Sequence, residues 1–144
     1  MENKLENLKI ASISKRAIAM MIDEFLISFL IFFAFFDAFK NAKTMQEYMI
    51  ITDKIFIYIF IAYTIYHYIF IALYGKTIGK MIVKIKCVDM ETLQTPNHLR
   101  SFIRSIFRNF DEMFLYAGMM IALFDKYNRA LHDIVGRCVV VEDN

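Results

Sequence analysis

The residues with the clearest chemical potential are ionisable groups inside long apolar segments. Asp23 and Glu24 interrupt an apolar stretch at residues 17–36, and His67 lies in a second one at residues 55–73. A carboxylate at the centre of a membrane span costs on the order of 2.5–3.5 kcal/mol, so it needs a partner or a function. If the two segments are antiparallel helices, Asp23 and His67 lie about 10 Å and about 9 Å from the same surface.

Two interpretations of Asp23 follow. In the first, Asp23 exchanges ions or protons, with His67 or an arginine within hydrogen-bond reach. In the second, it makes a structural hydrogen bond and His67 is a core histidine whose hydrogen bonds are satisfied. Arg16 precedes Asp23 by seven residues and shares its helical face. Helical side chains lean toward the N-terminus, so Arg16 is expected to reach outward to headgroups. The candidate intramembrane polar network is Asp23, Arg16, His67 and Glu24.

Two other segments contain polar groups without a complete catalytic or metal site. Residues 75–80, Gly-Lys-Thr-Ile-Gly-Lys, are one residue short of a phosphate-binding loop, and Met81 stands where Ser or Thr would bind magnesium. A tight basic turn is predicted there instead. His132 and Asp133 have no nearby nucleophile or zinc-ligand set. The sequence therefore predicts no catalytic residue, no metal and no cofactor, and a protein that is not an enzyme.

Composition favours a helical membrane protein with a single domain over residues 1–144. The hydrophobic fraction is 58%, above the roughly 45–50% of soluble domains. Segments 17–36 and 55–73 each cover the roughly 30 Å hydrocarbon core at about 1.5 Å per residue. A polar connection is predicted between them. The net charge of +2 is too small to indicate nucleic acid, and the two cysteines are expected to be buried reduced thiols.

The second half of the chain predicts shorter elements. Residues 81–89 and 137–142 are rich in β-branched residues and predict a small strand pair. Residues 99–110 predict an interfacial amphipathic helix. One face of this helix is expected to bind anionic lipid headgroups through Arg100, Arg104 and Arg108. Residues 111–124 are apolar but short, which favours a re-entrant or half-inserted segment over a third span.

The distribution of basic residues predicts the orientation. Positive charge concentrates on the cytoplasmic side. Four basic residues precede the first span, three lie between the spans and seven follow the second: Lys4, Lys9, Lys15 and Arg16; Lys40, Lys43 and Lys54; Lys76, Lys80, Lys84, Lys86, Arg100, Arg104 and Arg108. The N-terminus and residues 75–108 are therefore expected in the cytoplasm. Strand pairing would bring the C-terminus to the same side.

Three motifs in order resemble the RDD family of bacterial membrane proteins, which is named for one arginine and two aspartates. The first motif contains Arg16 and Asp23, and the second is the segment 75–89. The third is the segment 123–141, where the resemblance assigns the second aspartate to Asp133. The other motif positions implied are Gly75, Thr77, Gly79, Lys80 and His132. Arg137 departs from the family's usual threonine, and the likeness covers residues 14–142.

The resemblance implies a multi-pass protein of the bacterial inner membrane, and two functions are compatible with it. Some family members are proposed to act in sodium/proton antiport, which would make this chain a small transporter or cation/proton exchanger that uses Asp23. The alternative is an accessory or assembly subunit of a larger membrane complex. The expected partners are the bilayer with its anionic headgroups and either further copies of the chain or another membrane protein, but not nucleic acid.

Overall fold

Two long helices run antiparallel, and the remaining elements pack against one end of them. The computed structural model describes residues 8–114 and 117–143. Helix α1 is Ile13–Asn41 and α2 is Met45–Tyr74. The Phe35 and Tyr58 rings lie 5.4 Å apart, and those of Phe39 and Tyr48 lie 6.3 Å apart, which fixes the antiparallel arrangement. Within the described residues, these two helices are the ones long and apolar enough to cross a membrane.

Both long helices continue well beyond their apolar segments. The connection between the two long helices is only residues 42–44, which is shorter than the predicted polar connection. The reason is a capping box: the Glu47 N–H donates to the Thr44 hydroxyl at 3.2 Å, and the Thr44 N–H donates to the Glu47 carboxylate at 3.3 Å. This exchange supplies partners for N–H groups that a helix start leaves unpaired.

A two-stranded antiparallel sheet lies beyond the second long helix, as predicted. Strand β1 is Ile85–Asp89 and β2 is Cys138–Glu142, with Cys87 opposite Val140. Strand β1 is shorter than predicted because helix α3, Ile78–Ile82, takes the first residues of the expected strand, and β2 begins one residue later than predicted. The backbone of residues 9–11 bonds along β2, and both cysteines are buried and free.

Three more helices connect the strands: α4 (His98–Met113), α5 (Ala117–Ile121) and α6 (Leu131–Val135). The segment predicted to be re-entrant or half-inserted, residues 111–124, is divided between the end of α4 and α5. Helix α3 packs on α1, and α4 packs on α2 and α6. These contacts lie where α1 begins and α2 ends, hereafter the polar end. The opposite part, residues 29–36 of α1 and 55–62 of α2, is the apolar half.

Candidate functional site: buried charges at the polar end

Asp23 joins three helices through its carboxylate, which is fully buried. It accepts hydrogen bonds from the Tyr66 hydroxyl at 2.7 Å, the Thr77 hydroxyl at 2.6 Å and the Gly79 N–H at 2.8 Å. The Tyr66 oxygen in turn accepts from the Ile78 N–H at 3.0 Å. The first N–H groups of a helix have no partner within it. Asp23 and Tyr66 therefore cap α3 from the two long helices.

The contact between α1 and α3 depends on the glycine at position 79. A Cβ added to Gly79 would overlap the Ala19 carbonyl oxygen and lie 2.9 Å from an Asp23 carboxylate oxygen. The absence of a side chain lets the backbone of α3 come within hydrogen-bond distance of Asp23.

Asp133, at the start of α6, holds the main buried charge cluster. Its carboxylate accepts from Arg16 on α1, and from the Arg104 Nε at 2.9 Å and Nη2 at 2.5 Å on α4. Arg16 also donates to the Asn128 carbonyl. The three charged side chains are at most 4% exposed. Burial by itself raises the pKa of Asp133, but the charges of Arg16, His132 and Arg104 outweigh it and hold that pKa well below its usual range.

His132 links α6 to α4 beside this cluster. Its Nδ1 is hydrogen-bonded to the carboxylate of Asp111, and both side chains are buried. Burial is the largest influence on the ring and lowers the pKa of His132 to about 4. The ring is therefore neutral at neutral pH, with Nδ1 as the donor to Asp111.

Two of the three arginines on one face of α4, Arg104 and Arg108, are buried in the protein, which corrects the headgroup role predicted for them. Arg104 and Arg108 are each 2% exposed, and Arg100 pairs with Asp89 and Glu91. The outward face holds the apolar side chains Leu99, Phe102, Phe107 and Phe110. The predicted amphipathic pattern is present, but the prediction that Arg104 and Arg108 face headgroups is wrong.

The predicted partners of Asp23 are also wrong. Its carboxylate bonds to Tyr66, Thr77 and Gly79 and not to His67 or an arginine. Among the described residues, neither ring nitrogen of His67 has a hydrogen-bond partner, although the residue is fully buried. Arg16 does not reach outward as expected, since it pairs with Asp133. Glu24 follows Asp23 on α1 and is partly exposed.

The glycine and lysine positions of segment 75–80 have structural roles that the predicted turn did not include. Gly75 ends α2 with a φ of 67°, which favours glycine, and its carbonyl accepts from the Cys87 N–H at 2.7 Å. Lys80, expected in a basic turn under the headgroups, is 4% exposed.

Two polar contacts of the site were missed from the sequence. Tyr66 is next to His67, and a tyrosine in an apolar segment gives no sign of which helix face it occupies. Asn109 of α4 donates to the Thr64 hydroxyl at 2.6 Å and to the Phe60 carbonyl at 3.2 Å. The sequence does contain a signal for this contact, since Ser101, Ser105 and Asn109 recur at every fourth position of α4. The signal can be interpreted only once that face of the helix is known to be buried.

Comparisons with known proteins agree with the assignment made from the motifs. Searches of curated proteins and of solved structures found no match. The family model described as RDD family matches residues 10–137, which include every helix of the structure. This match and two candidate spans fit a membrane protein. Arg16 and Asp133, two of the three residues that the motifs single out, form an ion pair across 117 positions of the chain. The chain belongs to the RDD family.

Proposed function

We propose that this chain is an accessory or assembly subunit of a larger membrane complex in the bacterial inner membrane and does not move ions by itself. The observation that carries the proposal is the one-sided distribution of polar groups in the helix pair. Residues 29–36 and 55–62 offer the Tyr58 hydroxyl as their one polar side-chain group. Eight helical residues span about 12 Å. Apart from Asn109 of α4, which donates to the Phe60 carbonyl, an ion crossing a single chain would have almost no side-chain ligand over that distance.

The geometry of Asp23 supports the same conclusion. An ion-coupling carboxylate has to exchange partners as ions or protons arrive and leave. Asp23 is instead held by three donors, one of them a backbone N–H of α3. The tight approach at Gly79 leaves α3 little freedom to withdraw. These contacts suit a carboxylate that fixes one helix on another.

The apolar half presents a surface for a partner within the bilayer. Phe29 and Phe33 of α1 are 52% and 60% exposed, and their rings lie 4.7 Å apart. Helices associate in a bilayer through close packing of such preformed surfaces. The partner we propose is another helical membrane protein or a second copy of this chain.

The proposed orientation places the polar end in the cytoplasm. It rests on the basic counts of four and seven against three, and pairing of β1 with β2 brings the C-terminal strand to that side. The expected result is that Asn41→Cys reacts with an impermeant maleimide in intact cells, whereas Gln94→Cys reacts after permeabilisation. The opposite labelling pattern contradicts the orientation.

Affinity purification from gently solubilised membranes tests the function. A tagged chain is expected to co-purify with a defined membrane partner or as an oligomer, and Phe29→Ala with Phe33→Ala is expected to weaken that association. Leu99→Ala, which removes an exposed apolar side chain at the polar end, is the control and should leave it intact.

A transport assay supplies the outcome that would overturn the proposal. The purified chain in liposomes is expected to give no cation-dependent proton movement. Movement above that of empty liposomes, abolished in Asp23→Asn while the variant remains folded, would establish an exchanger in place of an accessory subunit.

A further inference from the structure

Two consecutive carboxylates at the end of β2, those of Glu142 and Asp143, each contact two lysine side chains from other parts of the chain. The nitrogen–oxygen distances of the four pairs lie between 2.5 and 3.0 Å. Consecutive Cα atoms are about 3.8 Å apart, so the two pairs of lysines are neighbours around this end of the strand. Lys9 and Lys15 contact Glu142, and Lys76 and Lys86 contact Asp143.

These four lysines carry more charge than the two carboxylates neutralise. Among the described residues, Glu142 and Asp143 are the acidic groups that form ion pairs with them, which leaves an excess of two positive charges. Lys84 adds a third charge, since it is exposed and its carbonyl accepts the Asp143 N–H at 2.9 Å. Clusters of about four or more basic residues next to a membrane-spanning helix attract anionic lipid headgroups.

The lysines lie where the two long helices leave their apolar segments. Ile18 and Leu73 are 49% and 59% exposed, so apolar surface for lipid extends along α1 and α2 as far as these residues. Lys15 precedes Ile18 by three residues, and Lys76 follows Leu73 by three. Three helical residues cover about 4.5 Å. The lysines are therefore at the level where the hydrocarbon core ends and the lipid headgroups begin.

The Lys76 and Lys86 ammonium groups are spaced to hold a single oxyanion. Their Nζ atoms lie 2.5 Å and 3.0 Å from the two oxygens of the Asp143 carboxylate. These three residues line a pocket of about 250 Å³, together with neighbours that include Tyr74 and Thr95. A phosphodiester has two oxygens on one atom that share its negative charge, so it presents the same pair of acceptors as a carboxylate.

We propose that Lys76 and Lys86 bind the phosphate group of an anionic phospholipid, such as phosphatidylglycerol, in place of the Asp143 carboxylate. Asp143 is then an internal competitor, which holds the two lysines when no lipid is bound. A lipid is favoured over a free phosphate because its acyl chains can lie against the exposed apolar surface that ends at Leu73. The excess positive charge favours lipids with a net negative charge over zwitterionic lipids. The inference does not depend on the proposed function.

Exchange of Asp143 for a lipid phosphate requires the movement of one side chain. Asp143 follows the last residue of β2, and its side chain is 22% exposed. Ion pairs with this degree of exposure contribute little to stability. Hydrogen bonds from Lys76 and Lys86 lower the pKa of Asp143, so the carboxylate is charged at neutral pH and competes with the phosphate. The site can therefore open without separation of β1 from β2.

A lipid titration of the full chain in nonionic detergent, followed by native mass spectrometry, tests the site. Phosphatidylglycerol is expected to bind about tenfold more tightly than phosphatidylcholine with the same acyl chains. Glycerol 3-phosphate has the phosphate without the chains and is expected not to displace bound phosphatidylglycerol. Equal affinities for the two lipids would overturn the proposal. Displacement by glycerol 3-phosphate would also overturn it, because the ligand would then be a soluble phosphate.

Two double variants locate the binding. Lys76→Gln with Lys86→Gln is expected to weaken phosphatidylglycerol binding by about fivefold per lysine, or about 25-fold together. Lys40→Gln with Lys43→Gln removes the same charge from exposed positions at the opposite end of the helix pair. This control is expected to bind the lipid as the parent does. Parent-like affinity in the Lys76 and Lys86 double variant contradicts the site.

Asp143→Asn separates lipid binding from a purely structural ion pair, and it covers the case in which the lysine double variant does not fold. Loss of the competing carboxylate is expected to tighten phosphatidylglycerol binding by about fivefold. Glu91→Gln removes an exposed carboxylate beyond the other end of β1 and is the control, with no expected change. If Asp143 only ties the end of β2 to α2 and β1, its loss leaves the lipid affinity unchanged or weaker. Either of those results overturns the proposal.

Discussion

The two ends of the helix pair are organised in opposite ways. At the polar end, side chains that usually face water are buried and connected across α1, α3, α4 and α6. In the apolar half, aromatic side chains face outward and contact mainly neighbours on their own helix, as Phe29 and Phe33 do. Where lipid surrounds the helices, burying apolar surface gives little net driving force. The difference indicates that polar contacts, more than apolar burial, determine how this chain folds.

Removing Asp133 is the strongest test of that comparison. Asp133→Asn leaves Arg16 and Arg104 buried without their counter-charge, and breaking a buried ion pair in this way costs about 3–5 kcal/mol. The free energy of unfolding, measured by loss of helical circular dichroism in mixed micelles, is expected to fall by that amount. Asp143→Asn is the control, because the partly exposed pairs of Asp143 with Lys76 and Lys86 contribute about 0–1 kcal/mol. Equal losses in both variants would contradict the comparison.

A single added methyl group at the polar end is expected to have the next largest effect. Gly79→Ala forces α3 away from Ala19 and lengthens the bond to Asp23, at a cost of about 1–3 kcal/mol. The same unfolding measurement checks this value. Met81→Ala, on an exposed position of the same helix, is the matched substitution and should change stability by less than about 0.5 kcal/mol. A neutral Gly79→Ala would show that α3 is not fixed in place by this contact.

The pH dependence of stability tests the burial of Lys80 at the polar end. The folded-state pKa of Lys80 is about 7, below its ordinary 10.5, so between these values the unfolded chain binds the extra proton. Stability therefore rises with pH through this window, by up to about 1 kcal/mol for the first pH unit. Unfolding at pH 7.5 and 8.5 should show the rise, and Lys80→Met should lack it. A parent protein with no pH dependence here would mean that Lys80 is charged and paired when folded.

The smallest effect is expected in the apolar half. Phe33→Ala removes a large side chain that is 60% exposed, and its expected cost is below about 0.5 kcal/mol in detergent. Ile71→Ala, at a fully buried position near the polar end, should cost about 2–5 kcal/mol. If Phe33→Ala destabilises the isolated chain as much as Ile71→Ala does, the apolar half contributes to folding and is not simply an outward surface.

The sequence was sufficient where a pattern refers to one element alone. Segment length and hydropathy predicted both long helices, and β-branched residues predicted the strand pair. It failed on which side chains meet between packed helices. Asp23 and His67 were predicted to lie at similar distances from the membrane surface, but that estimate does not say which way each helix is rotated about its axis. In the structure Tyr66, one position before His67, faces Asp23 instead. The four-residue period of arginines on α4 is equally compatible with a face toward headgroups and a face toward a charged interior. Thr44 and Glu47 have the spacing of a capping box, so the start of α2 at Met45 was predictable from the sequence, but the prediction placed that span from residue 55.

The pairing of Arg16 with Asp133 also sets an order in time. The two residues are 117 positions apart, and at 5–20 residues per second a ribosome needs on the order of ten seconds to make the intervening chain. During that interval Arg16 has no counter-charge, because Asp133 has not yet been synthesised. Helix α1 therefore cannot yet make its final contacts with α6. The two long helices can be inserted early, whereas the polar end closes after synthesis of α6. A chain stalled or truncated before residue 133 would thus contain both long helices but leave Arg16 without its counter-charge.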